Sequence, residues 1–397
     1  MNQTHNDTWF VAASTEPVGL RASVFTDWAS VLTLQKEWNG LLQQSRANTI
    51  FLTWEWIAAW FDVVGLMTKP LVVVVRDAAG KLAGLAPFYL AEYQLLRAIR
   101  YRVLRVMGDY PTGAEYLDWI VRTDNEAQVA ALLAETLAKT CTEWDCMWLP
   151  NVARWTGAFE RVTNACQQQG LYWRSRPCEF SVVQLPKVVE DYYKDLGPRK
   201  RKHLRRESRS LAARSGAMVT RCENVATLPR FLNALFDLHY QRWQSKGEEG
   251  SFRRTPKLAE FYQRFAPHAL KHRWLWLSAL EDQGECKAVE IGYVYNNIYY
   301  AMQGGFDPTY DIKGTGSLLQ AKVIEACISA GVSAYDFLGE LTEEKRSWLA
   351  QPRYGDDILV AHRRLKSRLL FAANVWPTGR FLNPTRELPP PCIDGRA

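Results

Sequence analysis

Several features that would place a chain quickly are missing from this one. No apolar run approaches the ~20 residues needed to cross a bilayer; the longest, such as Leu71–Val75, are far shorter, so no stable membrane insertion is expected. None of the 8 cysteines forms a CxxC pair, and no histidine stands beside them at metal-site spacing. A structural zinc, or any other metal, is therefore not expected. With no signal peptide at the N-terminus, the thiols read as reduced and mostly buried, in a cytoplasmic protein. There is neither a Walker A sequence nor a Gly-x-Gly-x-x-Gly fingerprint, which argues against P-loop and dinucleotide-binding folds. Ser, His and Asp form no convincing triad, and Cys286 has no adjacent His to activate it, so a covalent nucleophile is not favoured.

What is present is size, aromatic mass and uneven charge. At 397 residues the chain exceeds one ordinary core, and the size prior is two domains. It carries 16 Trp, 17 Tyr and 16 Phe, enough for substantial cores with some rings left to line a cleft. Net charge is +7, but seven Arg or Lys stand between Arg199 and Arg209 against one acid, Glu207. A local field of that kind attracts phosphates, RNA or an acidic surface.

Periodicity predicts helices over 26–45, 54–61, 126–139, 159–169, 228–245, 258–270 and 318–331. A basic helix is predicted to reach about Arg214. Strands are predicted over 71–76, 82–89, 104–106, 116–121, 146–149 and 179–185. A meander over 274–304 follows, then strands at 334–338 and 358–363. The order of elements restarts near Ser175, which suggests two similar mixed α/β domains with a boundary in 170–180. Residues 1–18 are expected to be loose, and the tail from Pro377 irregular.

The sharpest local feature is Gln303-Gly304-Gly305-Phe306-Asp307 followed by Gly314-Thr315-Gly316-Ser317-Leu318-Leu319. A strand ending in glycine, then a helix beginning near Ser317, offers free N–H groups and a positive dipole end to a pyrophosphate. The alternative is an ordinary glycine-rich loop with Ser317 as N-cap. In the basic helix, Arg201, Arg205 and Arg209 share one face at i, i+4, i+8. They could contact phosphates of a donor or of a tRNA-like acceptor, or simply form a solvated face. Glu290 lies inside a predicted central strand, where a carboxylate is costly unless solvated, paired or functional. Alternation puts Ala288 and Gly292 on its face, leaving room for a ligand and making Glu290 a candidate base. Asp336 ends a short apolar strand, a common place for an active-site residue in open sheets. His239 is a third candidate base, with a structural role as the alternative.

Taken together these pieces resemble the BioF2-like acetyltransferase domain family, often named after the cellulose-biosynthesis protein CelD. That family belongs to the GNAT superfamily and is related to the FemAB peptidoglycan aminoacyltransferases. The likeness spans about residues 20–365. It is carried by Phe51-Leu52-Thr53-Trp54-Glu55-Trp56, Gly84-Leu85-Ala86-Pro87-Phe88 and Tyr116-Leu117-Asp118 in the first half. In the second half it is carried by Arg201 through Arg206, His239 with Arg242-Trp243, Gly304-Gly305-Phe306-Asp307, Gly314-Thr315-Gly316, and Asp336-Phe337-Leu338-Gly339 leading to Lys345 and Trp348.

The resemblance implies two tandem GNAT-like domains, 19–174 and 175–365, each with a mixed, largely antiparallel sheet flanked by helices, followed by an extension over 366–397. It implies an acyl-CoA donor, acetyl-CoA or another, held by Gly304, Gly305, Gly314, Thr315, Gly316, Ser317 and Leu318 with Arg201 and Arg205. An acceptor amine or hydroxyl would sit among Tyr240, Arg242, Trp243, Phe306, Asp307, Lys345 and Trp348. It could be a small molecule, saccharide or peptide, possibly in envelope or exopolysaccharide metabolism. An aminoacyl-tRNA donor and a non-catalytic role in polysaccharide assembly are the rival expectations. Where the family commonly has Ser-Pro-Gly the chain has Gly314-Thr315-Gly316, and where Tyr commonly precedes the lysine it has Glu344.

Overall fold

The computed structural model describes residues 9–11, 19–95 and 99–377. Strands of the first half are β1 (Trp9–Val11), β2 (Arg21–Phe25), β3 (Lys69–Arg76), β4 (Leu82–Leu95), β5 (Ile99–Val106), β6 (Ile120–Val121) and β7 (Cys146–Ala153). β8 (Tyr172–Gln184) crosses the middle of the chain. The rest are β9 (Met218–Arg221), β10 (Leu275–Asp282), β11 (Glu285–Tyr295), β12 (Ile298–Phe306), β13 (Ala334–Asp336) and β14 (Gln351–Ala361).

All of them join one mixed sheet, in the order β1-β2-β3-β4-β5-β7-β14-β8-β13-β12-β11-β10-β9, with β6 paired to β4. The halves repeat a pattern. β2 to β5 form an antiparallel meander, and β7 then lies parallel to β5. β9 to β12 do the same, and β13 lies parallel to β12. The final strand of each half is exchanged: β14, from the end of the chain, pairs with β7, whereas β8 pairs with β13. β8 and β14 then pair with each other from Tyr172↔Ala361 to Val182↔Gln351. The expected boundary at 174/175 thus falls inside a strand that belongs to both halves of the sheet.

Local chemistry accounts for most elements. Leu71–Val75 is buried on both faces, which is why it reads as an unbroken apolar run instead of an alternating one. In Glu126–Lys139, Val129, Ala130, Leu133, Ala134 and Leu137 make one buried stripe. Thr53 caps the helix Trp54–Val63 by accepting from Trp56 N–H at 3.3 Å. That helix carries Trp56 into the junction of the halves, where its ring lies 4.7 Å from Phe261 and 4.8 Å from Phe265 of the helix Pro256–Lys271. The faces of the second half are covered differently. Helices Leu228–Gln244 and Pro256–Lys271 share a core with the first half, while Val189–Asp195, Pro198–Ala212 and Thr315–Ser329 enclose a separate one.

Three expectations need correcting. The strand read over 116–121 shrinks to Ile120–Val121, because Tyr116 is left-handed (φ 59°) and the Asp118 carboxylate takes Trp119 N–H at 2.7 Å. Within the stretch expected to be loose, Trp9–Val11 pairs with β2; residues 1–8 and 12–18 lie outside the described residues. Leu365–Ala372 is a helix and not part of an irregular extension, and residues 378–397 lie outside the described residues. Among the described residues no helix is long and apolar enough to cross a membrane.

Candidate functional site

The site begins where two parallel strands part. β12 and β13 pair only at Ile298↔Ala334, Tyr299↔Tyr335 and Tyr300↔Asp336. β13 then stops, while β12 continues to Phe306 with Met302 bulged out of its register with β11. A bulge bends a strand, and here it does so where the partner is lost. Beyond the split lies a cavity of about 280 Å³. Its walls come from β11 (Val289, Glu290), the end of β12 (Gly304, Gly305, Phe306) and the start of the helix Thr315–Ser329 (Gly314, Gly316, Ser317). Arg242 and Lys246 enter from the end of the neighbouring helix, and Glu344 closes another side.

Three of this wall's four glycines have reasons of their own. Gly314 is the helix N-cap at φ +79°, a conformation that a Cβ disfavours. A Cβ on Gly305 would lie 2.2 Å from His239 N, so Gly305 lets the helix Leu228–Gln244 sit directly on β12. Gly316 keeps the cavity open beside Phe306, whose Cδ1 would lie 3.0 Å from a Cβ there. No side chain caps the helix, so its first-turn N–H groups are left for a ligand or water.

Glu290 stands opposite Gly304 in the β11–β12 register. Its Oε1 accepts from Tyr299 Oη at 2.9 Å and Tyr335 Oη at 2.6 Å, and those rings stack 4.7 Å apart. Burial raises its pKa, against the lowering effect of the phenols and of Arg242. The room expected at Gly292 is taken: a Cβ there would lie 2.2 Å from Tyr299 Cζ, so this glycine admits the tyrosine ring and not a ligand. Ala288 is likewise packed in the core. Arg242 donates from Nη1 to Gly304 O at 3.3 Å and lies 5.7 Å from the Phe306 ring, holding the end of β12.

The other expected residues sit elsewhere. Asp336 is buried at the junction of the halves, where Oδ2 accepts from Tyr116 Oη at 2.6 Å and Oδ1 from Leu338 N at 2.9 Å. Burial pushes its pKa up to about 6. His239 is buried off the cavity wall. Its Nε2 accepts from Trp243 Nε1 at 3.0 Å, and burial lowers its pKa to about 4. Tyr240 stacks under Arg253 (3.8 Å), and Asp307 closes a turn by accepting from Thr309 N at 2.8 Å. Thr315 is buried with its hydroxyl on Ile312 O at 2.6 Å, and Leu318 is core. Lys345 holds the Leu338 and Glu340 carbonyls, and Trp348 is fully buried. Arg201 and Arg205 lie with Lys202, Arg206 and Arg209 along the outer face of the basic helix, away from the cavity.

Sequence reasoning passed over what that helix presents inward. His203 lies over Gly314, its Nε2 2.6 Å from where a Cβ would stand. Lys200 lies 3.6 Å from the centre of the Trp348 ring, and burial lowers its pKa to about 8. Glu115, from the first half, takes Gly339 N–H at 2.8 Å, and burial pushes its pKa up to about 8. The signal for His203 was helical phase: it lies three residues after Lys200 and four before Glu207, on the side that also carries the buried Leu204 and Leu211.

Residues 198–346 match the family described as an acetyltransferase (GNAT) domain. Among solved structures, FemX superposes with a TM-score of 0.61 at 11% identity, over 86% of this chain and 98% of FemX. The C-terminal domain (DUF2156) assigned to a lysylphosphatidylglycerol synthetase of Agrobacterium fabrum gives 0.50 at 11% identity, over 87% and 96%. No curated protein matches the chain. At such identities the likeness shows the fold alone. Residues 198–346 thus match a GNAT acetyltransferase domain, and the chain as a whole shares its fold with FemX.

Proposed function

We propose that this protein is an acyl-CoA-dependent N- or O-acyltransferase that transfers an acyl group directly to an amine or hydroxyl. The observation that carries the reading is the cavity itself: a helix start whose first-turn N–H groups have no side-chain cap and a half-buried carboxylate, Glu290, line the same space. The first suits a donor pyrophosphate and the second an acceptor proton. We read the sheet's halves as two GNAT-like lobes, 19–174 and 175–365, with the site in the second. A CoA thioester donor places the reaction in the cytoplasm. The narrower kinship with the BioF2-like family rests on the motifs alone.

In the proposed step, the acceptor nitrogen or oxygen attacks the thioester carbonyl carbon, forming the new C–N or C–O bond. The C–S bond breaks and CoA leaves as a thiolate. Glu290 takes the acceptor's proton, which then returns to the thiolate, so the carboxylate is regenerated. Asp336 is left out of this step because both of its oxygens are already engaged.

Calorimetric titration with CoA and acetyl-CoA tests the donor. Micromolar binding that is lost in Gly316→Trp, where a side chain must push into Phe306, supports the reading. Absence of binding to either sinks it. One observation favours a second reading: the arginine stripe on the outer face of the basic helix suits a tRNA-borne donor. RNase treatment would then abolish transfer.

A further inference from the structure

A guanidinium keeps its charge and offers five N–H donors, so an arginine taken out of water normally has acids around it. The chain follows that rule where it buries arginine for structure. Arg105 bonds Asp109 at 2.6 Å, and Arg161 is held between Asp118 and Glu126. Arg242 does not follow it. This residue stands half-buried in the last turn of the helix Leu228–Gln244, in the wall of the cavity. Among the described residues its one hydrogen bond runs from Nη1 to Gly304 O at 3.3 Å, its Nε is buried with no acceptor, and no carboxylate forms an ion pair with it. The cavity's own acids are engaged elsewhere: Glu290 accepts from two phenols, and Glu344 lies close enough to Lys200 to favour its charge. Lys246, four residues on from Arg242, lines the same wall and likewise forms no ion pair among the described residues.

We infer that Arg242 receives a carboxylate of the acceptor, which is therefore a small amino, hydroxy or uronic acid whose carboxylate stands a few bonds from the amine or hydroxyl presented to Glu290. This rests on the acyl-transfer reading proposed above, with Glu290 as the base. Register sets the spacing. The carbonyl that holds Arg242 belongs to Gly304, the residue directly opposite Glu290 in the β11–β12 pair. Directly opposed residues have Cα atoms about 5 Å apart, so an acceptor whose nucleophile is at Glu290 has its next few atoms within reach of the guanidinium. Gly304 itself puts no side chain between the two groups. The planar fork of Arg242 suits a carboxylate in two parallel hydrogen bonds, which also fixes the group of the acceptor that faces the thioester. Cavity size agrees: about 280 Å³ is at the small end for a ligand site, room for a compact acid and not for a polymer segment. In the same reading the donor's phosphates are met by a different wall, the start of Thr315–Ser329, which leaves the guanidinium to the acceptor. The carboxylate is a handle and is unchanged by the transfer.

The test compares acids with their primary amides. A panel of α-amino acids, α-hydroxy acids and hexuronic acids, each beside its amide, is offered with acetyl-CoA, and thiol release is followed. An accepted acid should exceed its amide in kcat/KM by about 30-fold, the loss expected when a guanidinium meets no anion. Arg242→Gln should bring the acid down towards its amide, mainly through KM, so that the ratio closes. Arg242→Lys, which keeps the charge and loses the fork, should leave an intermediate ratio. Melting curves and the KM for acetyl-CoA separate a lost acceptor contact from a lost fold or donor site. Equal use of acids and amides by wild type overturns the inference, as does a ratio that survives Arg242→Gln, or a variant whose only change is a higher KM for acetyl-CoA. If acetyl-CoA binds and no acid of the panel is acetylated, the inference falls while the donor reading stands. If acetyl-CoA does not bind, the acyl-transfer reading fails, and calorimetry with the same acids decides the inference by itself. Binding of an acid and not of its amide, lost in Arg242→Gln, then sustains the carboxylate site, and no binding overturns it.

Discussion

The cavity around Glu290 and the junction around Asp336 are built from the same materials: a carboxylate on a strand, a tyrosine hydroxyl, and a glycine in reach. They differ in how many carboxylate oxygens are already used. At Glu290 both phenols converge on Oε1, and the side chain stands in a cavity wall. At Asp336 each oxygen has its own partner, Tyr116 on one and Leu338 N–H on the other. The first arrangement leaves a carboxylate oxygen for chemistry. The second fastens a left-handed turn, Leu338 at φ 56° and Gly339 at φ 54°, to the other half of the molecule. Burial raises the pKa of both groups, so a shifted pKa alone would not have distinguished a base from a fastener.

The largest expected effect separates them by activity. Glu290→Gln keeps an amide oxygen that can accept from Tyr299 and Tyr335, so its melting temperature should remain close to wild type. Its kcat, followed by thiol release with an acceptor found by screening, should fall at least about 100-fold if Glu290 is the base. Turnover equal to wild type in a folded Glu290→Gln would remove that role.

The next effect is on stability. Asp336→Ala leaves the buried Tyr116 hydroxyl and Leu338 N–H without their partner, which should cost on the order of 3 kcal/mol in denaturant unfolding. Per folded molecule, kcat should fall far less than in Glu290→Gln. A loss of turnover as deep as that of Glu290→Gln, with stability unchanged, would reverse the assignment of the two carboxylates.

How much of this could be read from the sequence depends on the distance over which each feature is decided. Glu126–Lys139 was legible because its stripe of Val129, Leu133 and Leu137 is written within one helix. The cavity's glycines and Phe306 were legible together because a strand end, a loop and a helix start follow one another in the chain, whereas Arg242 and Glu290 come from other segments. The reasons for individual residues were not. Gly305 answers to the backbone of His239, and Gly292 to the ring of Tyr299, contacts that no periodicity announces. The exchange of β8 and β14 joins segments far apart in sequence, so a boundary drawn at 174/175 divided a strand. Charge also misled. Arg201 and Arg205 were singled out by density, whereas His203, a single ring on the buried side, is the group that meets Gly314.

A smaller effect concerns pH. The folded pKa of Asp336 is raised from 3.8 to about 6, and that of Glu115 from 4.5 to about 8, in each case chiefly by burial. A raised acid binds more protons in the folded state than in the unfolded one. Its contribution is therefore full below the unfolded pKa and is lost as pH rises through the folded value. Within these windows each group lowers stability by at most about 1.4 kcal/mol per pH unit. Urea midpoints measured from pH 4 to 8 should fall less steeply in Glu115→Gln than in wild type. A slope that is unchanged in the variant would mean that Glu115 is ionised throughout, its charge met by Lys345 and Gly339 N–H.

The smallest effect sharpens the cavity side of the comparison. Tyr335→Phe removes the shorter of the hydrogen bonds to Glu290 Oε1, at 2.6 Å, while keeping the ring stacked on Tyr299. The phenols favour the ionised carboxylate and so oppose the effect of burial, which means that losing one should raise the pKa of Glu290 further. A base with a higher pKa is protonated at higher pH, so the acid limb of the kcat/KM profile should move toward neutral pH while the plateau changes little. Asp336 gives the contrast. Tyr116→Phe deletes a hydroxyl from a carboxylate outside the cavity, so it should lower stability and leave the profile where it was. If Tyr116→Phe moves the acid limb and Tyr335→Phe does not, the proton passes through the junction, and the two carboxylates exchange roles.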